Sequence, residues 1–219
     1  MEADARQAVA LQPEHLSTYA LTVEREVLAV ATPLSRQLEQ GVLALPSDEA
    51  VVEMAQTVRD VYAGGGLHRY EISNHARPGF SSRHNALYWT GGEYLALGVG
   101  ATGMCLTSCA GAPPEGSRYV NPRGSGAYLR AVEEGRPVEA SREPLGPEEL
   151  FAERLSMGLR LRSGVDWEAV CMRYGQSPEP RRAEVERLVR HGLARLEGAR
   201  LVLTDAGADV HSAICARLL

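Results

Sequence analysis

A chain of 219 residues, 44% of them apolar, can bury a core and form one large domain or two small ones. Its 23 basic and 28 acidic residues leave a formal charge of −5 with no long like-charge run, which gives no support to a polyanion-binding arm or a nucleic-acid partner. No run of about 18 apolar residues occurs, so no transmembrane segment is expected and a globular, cytoplasmic protein is.

Residues 2–12 place Ala5, Val9 and Leu11 on a helical period and run into Pro13, a stop signal. This helix starts abruptly behind Met1, without a capping side chain, as the middle of a larger fold would. Residues 15–22 (HLSTYALT) alternate and are rich in strand formers, which predicts a strand. After Pro46, Ser47 is placed to cap a helix with Asp48 and Glu49 in its first turn and Val51, Ala55, Val58 and Tyr62 on one face; Gly64, Gly65 and Gly66 close it. Residues 68–73 (HRYEIS) and 93–99 (EYLALGV) read as further strands. Strand, helix and strand with short connections predict an α/β fold built of parallel units. These fill only about the first 105 positions, whereas a complete β/α barrel takes about 250, so a piece of a barrel or a small open sheet is expected.

Residues 110–123 (AGAPPEGSRYVNPR) turn to Gly, Pro and Ser and read as a loop or boundary. Beyond them come helical stripes at Phe151, Leu155 and Leu159, then over residues 165–174, then at Val185, Leu188, Val189 and Leu193. Two short apolar segments, 193–196 and 201–203, flank Glu197-Gly198-Ala199-Arg200, a hairpin signal. Thr204 and Asp205 are placed to cap a last helix carrying Val210, Ile214 and Leu218. Three helices, a hairpin and a closing helix predict an α-rich, winged-helix-like unit. Its arginines (Arg181, Arg182, Arg187, Arg190) are interleaved with Glu179, Glu184 and Glu186, which is not the pattern of a basic recognition helix. The expected organisation is 1–112 for the barrel piece, 113–145 for a linker and connecting helix, and 146–219 for the winged-helix-like domain.

Cys105, Cys109, Cys171 and Cys215 read as reduced thiols in a chain that needs no staples. Cys105 and Cys109 have the first gap of a three-cysteine, four-iron cluster motif, but its third position is Ala112, and two thiolates do not make that site. His15, His68, His75, His191 and His211 lack a spacing suited to zinc and read as structural. Neither a Gly-x-Ser-x-Gly elbow nor a phosphate-binding P-loop occurs.

Two motifs are far more specific. Tyr70-Glu71-Ile72-Ser73-Asn74-His75-Ala76-Arg77-Pro78-Gly79, followed by Arg83-His84-Asn85-Ala86-Leu87-Tyr88-Trp89, resembles a block of the radical S-adenosylmethionine (SAM) family of heme chaperones and oxygen-independent coproporphyrinogen III oxidases. His15-Leu16-Ser17-x-Tyr19-x-Leu21-Thr22-x-Glu24 is similar to the strand before it, and Tyr94-Leu95-x-Leu97-Gly98-x-Gly100-Ala101 to the glycine-bearing strand after it. Gly158-Leu159-Arg160-Leu161-x-x-Gly164-Val165 and Leu203-Thr204-x-x-Gly207 resemble the family's C-terminal domain, so the likeness runs from about His15 to Leu219. The chain departs from the family pattern at His75, where Phe or Tyr is common, at Val99, where Pro is common, and at Thr102, where His is common.

The resemblance implies the closing part of a partial (β/α) radical SAM barrel beside the winged-helix-like domain. The cluster-binding cysteines and most nucleotide-binding residues of the family would lie in a part not represented in this sequence. It also implies heme binding by His84, Asn85, Tyr88 and Trp89, with His84 as ligand to the heme iron, and an edge of the SAM pocket at Gly98, Gly100 and Ala101. Heme, and for a full-length parent SAM and a 4Fe–4S cluster, are the cofactors implied. A respiratory protein that accepts heme is the implied partner. The histidine–aromatic motif favours a chaperone; the alternative is oxidative decarboxylation of coproporphyrinogen III, and without cluster ligands this chain alone is not expected to perform radical chemistry.

The residues themselves leave alternatives open. An imidazole with two large rings beside it can serve heme, or His84 and Asn85 can tie down a loop while Tyr88 and Trp89 fill a core. Gly98 and Gly100 can admit a ligand to the backbone or simply make a tight turn. Glu24 and Glu71 can orient a ligand or sit at the surface in salt bridges.

Overall fold

The computed structural model describes residues 1–21, 32–108 and 110–219; Thr22, Glu24 and Cys109 lie outside them. The described residues form two compact units, Met1–Ser81 and Ser82–Leu219.

In the first unit, α1 (Glu2–Ala10) is followed by β1 (His15–Ser17), α2 (Pro33–Glu39), α3 (Asp48–Gly64), β2 (His68–Arg69) and β3 (Asn74–Ala76). The Ser47 hydroxyl accepts the Ala50 N–H (3.2 Å) at the start of α3, as its position predicts. Val58 and Tyr62 on the buried stripe of α3 pack with Ala5, Leu67, Val9 and Leu16 into one apolar cluster that seats α1 on α3. Leu11, expected on the buried stripe of α1, is 83% exposed: the helix stops at Ala10, and Gln12 at φ 54° turns the chain away.

The sheet of this unit has the order β1-β3-β2 and is antiparallel throughout, with His15 opposite Ala76 and His68 opposite Ala76. This corrects the expectation of parallel units. The predicted strand at 68–73 is two residues of β2 and a reversal. Glu71, whose carboxylate is fully buried, accepts the Ser73 N–H and the Asn74 side-chain amide, both at 2.6 Å, and so folds the chain back into β3. Glu71 is thus a buried turn-former, not a surface acid.

The second unit opens with α4 (Arg83–Trp89), β4 (Thr102–Thr107), β5 (Glu115–Val120), α5 (Ser125–Glu133) and β6 (Ser141–Leu145). β4, β5 and β6 form an antiparallel sheet in that order. β5 lies inside the stretch 110–123 that reads as loop: its Gly116 lies close to Cys105, where an added Cβ would meet the Cys105 carbonyl at 2.7 Å, so the glycine there serves close strand contact and not a turn. Residues 93–99, expected as a strand, make only a Tyr94–Met104 bridge. Their backbone groups are taken by side chains instead: the Tyr119 hydroxyl accepts the Ala96 N–H, the Tyr128 hydroxyl accepts the Gly98 N–H (3.1 Å each), and the Asn121 amide donates to the carbonyls of Ala96 (3.2 Å) and Gly98 (2.9 Å).

The winged-helix-like part follows as α6 (Pro147–Leu159), β7 (Val165–Asp166), α7 (Trp167–Arg173), α8 (Glu179–Arg190), β8 (Ala194–Glu197), β9 (Arg200–Leu203), α9 (Asp205–Asp209) and α10 (His211–Leu218). Leu155 and Leu159 of α6, Leu188 of α8, Leu201–Leu203 of β9 and Ile214 and Leu218 of α10 are all at most 2% exposed and make its core. The β8–β9 hairpin turns at Gly198 (φ 60°) where the sequence signals it, and β7 adds to the outer side of β9. Thr204 caps α9 through the Gly207 N–H (3.1 Å), but the single helix expected here is two: Val210 is exposed and marks the break between α9 and α10.

Candidate functional site

α4 carries the histidine–aromatic motif. The Ser82 hydroxyl accepts the Asn85 N–H (3.2 Å) and starts the helix; Gly91 at φ 68° ends it, with the Gly92 N–H returned to the Leu87 carbonyl (2.7 Å). One helical turn separates His84 from Tyr88, which brings His84 Nε2 and the Tyr88 hydroxyl to 3.1 Å and sets the two rings edge to face. His84 is exposed, whereas Tyr88 and Trp89 are half-buried. The His84 imidazole therefore has an open side.

Below the helix lies a cavity of about 440 Å³, within the ~300–1,000 Å³ typical of small-molecule sites. Tyr88, Trp89 and Tyr94 line it with Met104, Leu106, Leu150, Met157 and Tyr174, so its surface is mainly aromatic and apolar. Tyr94 stacks edge-on against Tyr88 at 4.6 Å, and the Arg160 guanidinium covers the Trp89 ring at 4.3 Å. Arg160 and Trp89, which belong to two separate motifs, thus meet. Asn85 sits in the first turn of α4, half-buried, and does not line the cavity.

Three charged groups enter the cavity wall. Arg118 of β5 pairs with Glu153 of α6, and that hydrogen bond raises the guanidinium pKa. Arg154 has no carboxylate partner among the described residues; it donates to the Trp89 carbonyl (3.1 Å), and burial lowers its pKa. The indole N–H of Trp89 is buried without a hydrogen-bond partner among the described residues. Arg118, Glu153, Arg154 and Tyr174 carry no local sequence signal: they reach the cavity from β5, α6 and the end of α7, all well downstream of Trp89.

Gly98 and Gly100 take φ values of 100° and 67°, which only glycine adopts without strain. A Cβ on Gly98 would meet nothing within 4 Å, while its N–H and carbonyl are held by Tyr128 and Asn121. Ala101 is half-buried beside them, and its carbonyl accepts the Asn121 backbone N–H (2.9 Å). Of the histidines, His15 bonds to the Tyr70 hydroxyl and His211 to the Ser156 carbonyl (2.9 Å each). Among the described residues no group of three His, Cys, Asp or Glu side chains could hold a metal ion, so these residues do not fit an iron–sulfur cluster. Of what heme needs, the cavity lining supplies flat apolar neighbours and cations for its carboxylates, while the imidazole of His84 lies outside that lining, one helical turn from Tyr88. No helix among the described residues is long and apolar enough to cross a membrane.

The chain thus combines a cavity lined by four aromatic rings and two arginines with an accessible imidazole, His84, that stands outside the lining and one helical turn from Tyr88, and it resembles known proteins. Residues 145–210 match the HemN C-terminal domain. The chain is 34% identical to the heme chaperone HemW of Synechocystis over 73% of its own length and 36% of that protein. It is 31% identical to HemW of Mycobacterium tuberculosis (97% and 49%) and 33% identical to the mouse mitochondrial radical S-adenosyl methionine domain-containing protein 1 (94% and 46%). It shares its fold with the solved coproporphyrinogen III oxidase HemN of Escherichia coli, described as a radical SAM enzyme, at a TM-score of 0.66 and 16% identity over 97% of this chain and 49% of that one. The chain belongs to the radical SAM family that contains HemW and HemN. It spans about a third to a half of the length of the curated relatives it matches.

Proposed function

We propose that this chain is the heme-binding part of a heme chaperone, in which α4 and the cavity below it hold the tetrapyrrole. The observation that carries the reading is the joint placement of His84, Tyr88 and Trp89: an accessible imidazole one turn from a ring that lines an aromatic cavity. The names of the HemW relatives support it. In this reading His84 ligates the heme iron, Tyr88 and Trp89 shield the macrocycle from water, and Asn85 steadies the first turn. Heme is the cargo, taken up by this chain and passed to a respiratory acceptor in the cytoplasm. Gly98, Gly100 and Ala101 form the edge of the nucleotide pocket; the open space beside Gly98 supports this, because a ligand can approach the backbone there. A bound SAM and its cluster would supply a deoxyadenosyl radical to the whole protein, and none of the residues named above takes part in that step. The division into 1–112, 113–145 and 146–219 belongs to the same proposal, and the HemN C-terminal match at 145–210 supports its last part.

Two considerations set the chaperone above the coproporphyrinogen oxidase. The family resemblance implicates the histidine–aromatic helix in binding heme, and the likeness to HemN, at 16% identity, speaks for the fold alone. Titration of the chain with hemin is expected to shift the Soret band, and His84→Ala to abolish that shift. A band that shifts equally in the variant would remove His84 as the ligand.

A further inference from the structure

Two arginines face the cavity, and they differ in one respect. Arg118 is already neutralised by Glu153, whereas Arg154, next to Glu153 on α6, has no carboxylate partner among the described residues. An arginine drawn away from water without a counter-ion costs free energy, so its retention calls for an anion that arrives from outside. The chain makes room for it on both sides. A Cβ at Gly91 would come within 2.9 Å of the Arg154 Cδ, and one at Gly158 within 2.8 Å of its Nη1. The side chain thus passes between two glycines, and its bond to the Trp89 backbone carbonyl fixes the guanidinium at the end of α4, in the same cavity wall as Trp89. The fork donates to planar oxyanions in pairs.

We propose that Arg154 is the carboxylate-recognising residue of this cavity, gripping an acidic side arm of the flat ligand that packs against Trp89; given the heme reading, on which this rests, that arm is a propionate. Apart from its acidic arms the edge of the macrocycle is apolar, so the aromatic wall and the cation recognise different parts of one molecule. Arg154 then decides between the free acid and its ester, and His84 decides whether iron is ligated.

Hemin and hemin dimethyl ester, titrated separately into the whole chain and followed by the Soret band, separate the two roles. The wild type is expected to bind the acid more tightly than the ester. Arg154→Gln should weaken hemin on the order of tenfold, the usual worth of one charge-assisted hydrogen bond, and leave the ester unchanged. Arg154→Lys should recover most of the preference for the acid, which a loss of packing alone would not allow. Equal weakening of acid and ester in Arg154→Gln would overturn the proposal, since Arg154 would then act only through Trp89. If His84→Ala leaves the hemin spectrum as it was, iron ligation by His84 falls while the contrast of acid and ester still decides Arg154. If the wild type binds neither compound, both readings fall.

Discussion

Gly164→Ala is expected to destabilise the winged-helix-like part by about 3 kcal/mol. Two costs add. Gly164 holds φ 64°, where an L-residue with a Cβ loses about 1–2 kcal/mol. The added methyl would also run into the Leu201 carbonyl and come within 2.7 Å of the Val202 Cγ2. Both belong to β9, which is buried and hydrogen-bonded to β7 immediately after Gly164, so neither can give way cheaply; overpacking of this kind costs about 1–3 kcal/mol. Urea denaturation monitored by the fluorescence of Trp89 and Trp167 should show a lowered midpoint at an unchanged slope. Gly192→Ala is the control: it holds φ 69° with nothing within 4 Å of the missing Cβ, and should cost only the conformational part. Equal losses in the two variants would show that the close approach of Gly164 to β9 has no energetic weight.

The second large effect belongs to His75. It is 4% exposed, packs its ring edge to face on Tyr62 at 5.1 Å, and finds no hydrogen-bond partner for either nitrogen among the described residues. Burial first, and then the positive neighbours Arg69, Arg59 and His15, lower its pKa to about 4 from 6.5. The folded state thus favours the neutral ring, while the unfolded chain takes up a proton below about 6.5. Stability of the first unit is complete above that pH and is lost as pH falls towards 4, by up to about 3 kcal/mol, after which no further loss comes from this group. His75→Phe keeps the ring against Tyr62 and removes both nitrogens. Its advantage over the wild type, measured by denaturation followed by circular dichroism, should grow steadily from about pH 6.5 to 4. A difference that does not change with pH would show that His75 is not the proton-sensitive group.

Parts of this architecture can be read directly from local pattern. Ser47, Asp48 and Glu49 announce α3, and Gly198 announces the β8–β9 hairpin, because caps and turns depend on residues a few positions apart. The family motif likewise points to α4 from the order of its residues alone. What escapes is set by distant partners. Residues 93–99 have the composition of a strand, yet Tyr119, Asn121 and Tyr128, from 23 to 30 positions on, take the hydrogen bonds that a neighbouring strand would have taken. The 68–73 segment fails as one strand because a single buried carboxylate, Glu71, reverses it. α2 escapes as well, although Thr32 before Pro33 is a start signal of the usual kind, and the Thr32 hydroxyl does accept the Ser35 N–H (3.1 Å).

The same distinction holds at the site. His84, Tyr88 and Trp89 lie on one helix and their relation follows from helical spacing. The cations that complete the cavity come from β5 and α6, so Arg154 beside Trp89 becomes apparent only once the chain has folded. The aromatic wall and the guanidinium without a carboxylate are therefore what the fold adds to the motif.

Hydrogen exchange of the chain with and without hemin tests the placement of the ligand most directly. Slowed exchange concentrated in residues 83–94, 102–107 and 150–157, the segments of α4 and its C-terminal turn, β4 and α6 that contribute to the cavity wall, is the predicted result. Hemin that binds with no change there, or with protection only in the first unit, would contradict it.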